Sequence, residues 1–230
     1  AYKNGCVLYD VERIKCANIE NDISGSKFDA FIGETEYKDL RISMLGKHQI
    51  ENALTALTAL EVLRKRRCVS VERTKLYEAK NIGRFEIVPP KAQNIALKAV
   101  SPYIVLDGAH NEAGASALAE TLKTYFANKK ILAVVGVLSD KAADKITASL
   151  CSICDSFIAT EPRNERKLSA ELLAQMIEKN GRSCIIEREP IAALAKAREK
   201  IEKENFEVLL IAGSLYLIGE IRGILFEGRD

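Results

Sequence analysis

The chain of 230 residues carries 34 basic and 32 acidic side chains, a net charge of +2, with 47% hydrophobic and 29% charged residues. These globular proportions exclude a disordered, collagenous or low-complexity chain, and the length suits one large domain or one domain plus part of another. Balanced, dispersed charge argues against a nucleic-acid partner, and no apolar run is long enough for a membrane span or secretory leader, so a soluble cytoplasmic protein is expected.

The chain opens with segments of alternating polarity at residues 5–9, 13–19, 27–32 and 37–44, separated by polar turns and read as short antiparallel strands in a meander. From residue 49 to 64 the period becomes helical, with Ile50, Ala53, Leu54, Leu57, Leu60 and Leu63 on one face. A second helix is expected at about 70–79, then a strand at 83–88 closed by Pro89 and Pro90. This first part lacks an opening βαβ unit and does not read as a complete domain.

Beyond residue 100 the pattern alternates strictly. Near-continuous apolar strands are expected at 103–106, 131–137, 156–160, 183–187 and 207–212. Helices follow at about 112–126, 141–150, 169–179, 190–204 and 215–226. Apolar strands joined by helices imply a Rossmann-like, mostly parallel α/β sheet with helices on both faces. The expected division is therefore residues 1–88, a linker at 89–101, and an α/β domain at 102–230.

Ligands of such sheets bind beyond the carboxyl ends of the strands. Those ends carry Asp107-Gly108-Ala109-His110-Asn111, Ser139-Asp140-Lys141, Glu161-Pro162-Arg163-Asn164 and Gly213-Ser214. Asp140 and Asn164 are equally well read as helix caps, and Ser214 as a turn and cap. Arg163, Arg166 and Lys167 fit a solvated loop better than a phosphate clamp. An acid, an imidazole and an amide within residues 107–111 exceed what capping requires and favour function. Asn52 and Arg84, taken singly, have plain structural readings.

The six cysteines include one CxxC pair, Cys151 and Cys154, with no second pair to complete a zinc site. Reduced, packed thiols are the better reading. With only His48 and His110 as histidines, a histidine-rich metal site cannot be built.

In order, LGKHQIENALTALTALEVL (45–63), GRFEI (83–87), VLDGAHNEAGASALAETL (105–122), VVGVLSDK (134–141) and AGSLYLIGEIRGIL (212–225) resemble folylpolyglutamate synthase/dihydrofolate synthase, a relative of the Mur ligases. The resemblance implies an ATP-dependent ligase: ATP phosphorylates a folate-type carboxylate, and the amine of glutamate attacks the acyl phosphate. It implies ATP and Mg²⁺ as cofactors, glutamate and folate or dihydropteroate as substrates, and a monomer at full length. Carried over by motif, Asn52 lies near adenine, Arg84 reaches the phosphates, Asp107 accepts ribose hydroxyls, His110 sits where phosphate meets glutamate, and Ser214 lies on the glutamate side. Glu112 replaces the proline usual after DGAHN, and residues 91–101 lengthen the link to the next strand.

The family begins with an ATPase domain carrying a GxxxxGKS/T phosphate loop, a motif these 230 residues do not contain. The first part thus resembles the end of that domain, and most Mg²⁺ ligands are expected outside this chain, which alone should not catalyse ligation. A non-catalytic nucleotide- or glutamate-binding α/β module, or a fragment of a Mur-type peptide ligase, is the alternative.

Overall fold

The computed structural model describes residues 7–66, 76–89 and 102–226. Residues 90–101 of the expected linker and most of the expected helix at 70–79 lie outside the described residues. The chain forms two compact units, Ala1–Lys80 and Asn81–Asp230.

In the first unit, β1 (Lys15–Asp22), β2 (Gly25–Ile32) and β3 (Thr35–Ile42) form an antiparallel sheet in the order β1-β2-β3. Among the described residues the meander has three strands, not four: Val7, Leu8 and Tyr9 are exposed and outside any strand, leading instead into a 3-10 turn at Val11–Arg13. Helix α1 (Lys47–Lys65) covers one face, setting Ile50, Ala53, Leu54 and Leu57 against Phe28, Ala30, Ile32, Tyr37, Leu40 and Ile42. Inward residues of β2 alternate strictly. Those of β3 skip from Tyr37 to Leu40, because the register shifts between Phe28 and Ala30 and Asp39 takes φ 53°. An extra residue in one strand is how a sheet turns later side chains back to its core. Each large apolar side chain buried this way contributes about 1.5–3 kcal/mol.

The second unit holds a six-stranded sheet: β4 (Glu86–Val88), β5 (Tyr103–Asp107), β6 (Ile131–Val135), β7 (Ser156–Ala159), β8 (Ser183–Ile186) and β9 (Val208–Ala212), ordered β4-β5-β9-β6-β7-β8. All neighbours are parallel except β4, which pairs antiparallel with β5, Glu86 opposite Leu106. Strand β4 therefore belongs to this sheet, and the division falls at Lys80/Asn81 rather than at residue 88.

Helices α2 (Glu112–Phe126), α3 (Ala143–Cys151) and α4 (Ala170–Lys179) pack in sequence along one face, and α5 (Pro190–Glu204) with α6 (Leu215–Phe226) along the other. The layering follows from the strand order. Moves β5→β6→β7→β8 run one way across the sheet and the return to β9 runs the other, so right-handed crossovers place the returning helix on the opposite face. Every residue of β6, β7 and β9 is buried, as strands covered on both sides must be. One core layer joins Ile104, Leu106, Val134 and Ile211 to Leu194, Ile201, Ile218 and Ile221 of α5 and α6. Cys151 and Cys154 are buried free thiols, and burial pushes the Cys151 thiol up to about 11, far from a reactive thiolate.

Candidate functional site

The carboxyl end of β5 is where the second unit concentrates its chemistry. Asp107, the last residue of the strand, is only 8% exposed, and its carboxylate accepts two backbone hydrogens, from Phe85 (2.8 Å) and Ala109 (2.7 Å). The Gly108 N–H donates to the Gly83 carbonyl at 2.7 Å. These bonds stitch the Gly83-Arg84-Phe85-Glu86 turn to the Asp107-Gly108-Ala109-His110 turn. Two motifs separated in sequence form one structural piece.

Phe85 sits at φ 42°, a left-handed conformation that costs an L-residue roughly 1–2 kcal/mol. The Asp107 bond to its N–H and the burial of its ring, 6.3 Å from that of Phe126, offset that cost. Gly108 is required by space. A Cβ there would stand 2.2 Å from Leu215 Cδ2, so α6 lies directly on the turn.

His110 is half-buried, and its Nδ1 lies 2.8 Å from the Gly108 carbonyl. A carbonyl only accepts, so the proton of that bond sits on Nδ1, which leaves the Nε2 lone pair in the neutral ring to take a proton from elsewhere. Nε2 makes no hydrogen bond among the described residues. Asn111 caps α2, its Oδ1 accepting from the Gly114 N–H at 2.7 Å, with Glu112 as the first helical residue. The amide of this cluster thus serves the helix.

Arg84 is half-buried with its backbone N–H on the Asn81 carbonyl at 3.1 Å, and its guanidinium makes no ion pair among the described residues. Glu86 accepts the Gly83 N–H at 2.9 Å and Arg222 of α6 at 3.0–3.1 Å. Sequence reasoning passed over both, although two charges in the otherwise apolar α6, Glu220 and Arg222, were a visible signal.

Strand β9 pairs beside β5, with Ala212 opposite Asp107, so Gly213 and Ser214 follow at the same edge of the sheet. Gly213 takes φ 106°, and a Cβ there would stand 2.7 Å from the Gly136 carbonyl after β6. Ser214 is buried, and its Oγ accepts the Tyr216 N–H at 3.2 Å, the geometry of a helix cap.

The basic loop after β7 is paired with acids throughout. Arg163 lies 3.1 Å from Glu220, Arg166 3.0 Å from Asp140, and Lys167 2.6 Å from Glu161. Asp140 is therefore not a helix cap, the α3 cap position being Ala142. Asn164 accepts the Arg166 N–H at 2.9 Å in a local turn, while Ser169 caps α4.

In the first unit, Asn52 lies on the exposed face of α1 and donates to Gln49 Oε1 at 3.1 Å, while Gln49 Nε2 meets His48 Nε2 at 3.0 Å. Among the described residues no three His, Cys, Asp or Glu side chains gather closely enough to hold a metal. No helix among them is long and apolar enough to cross a membrane.

The chain is 30% identical over 223 residues to the dihydrofolate synthase/folylpolyglutamate synthase of Bacillus subtilis, covering 95% of this chain and 47% of that protein. It is 33% identical over 138 residues to the Mycobacterium tuberculosis enzyme of the same name. A crystal structure of Mycobacterium tuberculosis folylpolyglutamate synthase complexed with ADP and AMPPCP superposes with a TM-score of 0.80 at 25% identity, covering 94% of this chain and 48% of that one. The Thermotoga maritima folylpolyglutamate synthase gives 0.75 at 29% identity, covering 99% and 50%. The chain spans about half the length of these relatives. Residues 83–215, more than half of the chain, match the Mur ligase, glutamate ligase domain, and the chain belongs to that family.

Proposed function

We propose that this chain is the carboxyl-terminal part of an ATP-dependent carboxylate–amine ligase that joins L-glutamate to folate or dihydropteroate, acting in the cytoplasm as a monomer once joined to an amino-terminal ATPase half. One observation carries the proposal. Among the described residues, a cation without a counter-charge, Arg84, and an imidazole with an open acceptor, His110, rise from two turns fastened together at the carboxyl end of a parallel sheet.

The reaction needs both. A carboxylate oxygen is too poor a leaving group for an amine to displace, so phosphoryl transfer from ATP first converts the substrate carboxylate to an acyl phosphate, releasing ADP. The amine of glutamate then attacks the acyl carbon, phosphate departs, and the nitrogen sheds a proton. Arg84 suits the phosphate charge, and His110 Nε2 suits that proton while Gly108 fixes the ring's tautomer. Asp107 fits a ribose contact at a strand end, Ser214 the glutamate side and Asn52 the adenine. In the structure Asp107 and Ser214 also hold backbone groups, so each assignment asks a residue to serve two ends.

The test is to supply the complete ligase with ATP, glutamate and, separately, dihydropteroate, folate and a muramyl peptide. ATP-dependent glutamylation of either pterin is the expected result. Product with the muramyl substrate alone would move the chain to the peptide-ligase branch, and no product with any would leave a binding module.

A further inference from the structure

We propose that Glu86 and Arg222 form a positioning clamp for Arg84: the pair holds the Arg84 turn onto α6 and engages the Glu86 carboxylate, which would otherwise be free to pair with the arginine's guanidinium. The inference rests on the phosphate-binding role proposed for Arg84 and assigns two residues that the motif comparison did not.

The turn is held at each peptide around Arg84. The Gly83 N–H donates to Glu86 (2.9 Å), the Gly83 carbonyl accepts from Gly108 (2.7 Å), the Arg84 N–H donates to Asn81 (3.1 Å), and the Phe85 N–H donates to Asp107 (2.8 Å). Gly83 takes φ 70°, and a Cβ there would lie 3.0 Å from Ile218 Cγ2, so the turn rests on the same α6 face that carries Leu215 and Arg222. An arginine whose backbone is fixed and whose side chain alone is unattached loses less freedom on meeting a phosphate.

Charge completes the argument. In the loops after β7 and β8, Arg163, Arg166, Lys167 and Arg188 all stand within ion-pair distance of an acid. Arg84 has a glutamate two residues away and yet makes no ion pair among the described residues. Glu86 instead faces Arg222, whose Nε lies 3.1 Å from both carboxylate oxygens and whose Nη2 lies 3.0 Å from Oε1. The side chains are only 18% and 31% exposed, so the pair is partly shielded from water and outlasts an exposed one. Arg222 thereby withholds from Arg84 the carboxylate that would otherwise neutralise it.

The experiment is a set of variants in the complete ligase, each checked by thermal melting and read in kcat and in KM for ATP. Arg222→Gln, which leaves the Glu86 carboxylate free, should lower kcat/KM for ATP by about tenfold. Adding Glu86→Gln, which keeps an acceptor for the Gly83 N–H but removes the charge, should restore most of that loss, a recovery no purely structural role predicts. In an Arg84→Ala background neither substitution should lower activity further. The clamp is overturned if Arg222→Gln matches the wild type, if the double variant falls lower still, or if the losses multiply in the Arg84→Ala background. Should Arg222→Gln fail to fold, Glu86→Gln alone, which removes the carboxylate and keeps the acceptor for Gly83, should hold kcat/KM for ATP near the wild type, and a loss of about tenfold would overturn the charge argument. Wild-type activity in Arg84→Ala itself would instead remove the assignment of Arg84, a separate failure visible in its own variant.

Discussion

His110 and Asp107 sit three positions apart, and their substitutions should fail in different ways. His110→Ala should cut turnover of the complete ligase by roughly 100-fold or more, the scale of a lost acid–base or electrostatic contact, with the melting temperature nearly unchanged. Near-normal turnover and glutamate KM would sink the assignment, and an unfolded variant would make the imidazole a core residue. Asp107→Asn should cost about 1–3 kcal/mol of stability even in the isolated chain, because an amide can accept only one of the two backbone hydrogens, from Phe85 and Ala109, and turns its NH₂ toward the other. A urea titration showing wild-type stability would leave Asp107 to the ribose alone. The sequence exposed this cluster because an acid, an imidazole and an amide within residues 107–111 exceed what helix capping requires. It hid the pairing of Glu86 with Arg222, because a contact reaching across 136 positions leaves no local pattern.

Among the elements, the parallel strands and their helices were legible almost to the residue, since strands buried on both faces read as unbroken apolar runs. Helix α2 falls on the expected 112–126 and α5 on 190–204. The strand order and the antiparallel β4 were not legible, because apolar content reports burial and not neighbours. Close approach of the strand ends gives a prediction. Gly213→Ala places a methyl group 2.7 Å from the rigid Gly136 carbonyl at φ 106°, and should destabilise the chain by about 2 kcal/mol or more. Gly108→Ala meets the Leu215 side chain, a more yielding neighbour than a backbone carbonyl, and should cost less in stability while disturbing the turn beneath His110. Urea melts of the two variants giving the reverse order would show that the strand ends have more room than their geometry allows.

At the scale of the whole molecule, the first unit has an acid-sensitive fastening. Glu61 of α1 is buried, accepts from Tyr37 (2.8 Å) and Thr35 (3.0 Å), and binds Arg64 through both oxygens (2.7–2.8 Å). The bonds to Arg64, Tyr37 and Thr35 hold its carboxyl down at about 2, against an ordinary 4.5. A lowered folded-state value means stabilisation that is complete above the ordinary value and lost as pH falls from 4.5 through about 2. Denaturation of the first unit followed across that range should show the loss, and Glu61→Gln should flatten it; an unchanged slope would rule out Glu61 as the source. The isolated chain should also bind Mg-ATP weakly or not at all, since the phosphate loop that holds most of the anionic charge is absent from its sequence. Micromolar binding by calorimetry would overturn that expectation. The strand order carries one further consequence, for the history of the chain during its synthesis. Strand β9, the last of the sheet to be made, lies between β5 and β6, the first parallel strands to appear. Those two have no direct pairing to rehearse while they wait, so the sheet cannot be completed outward from a finished beginning. Its middle is filled last, over contacts of high sequence separation, and a ribosome that stalled before Val208 would leave two apolar edges facing an empty slot.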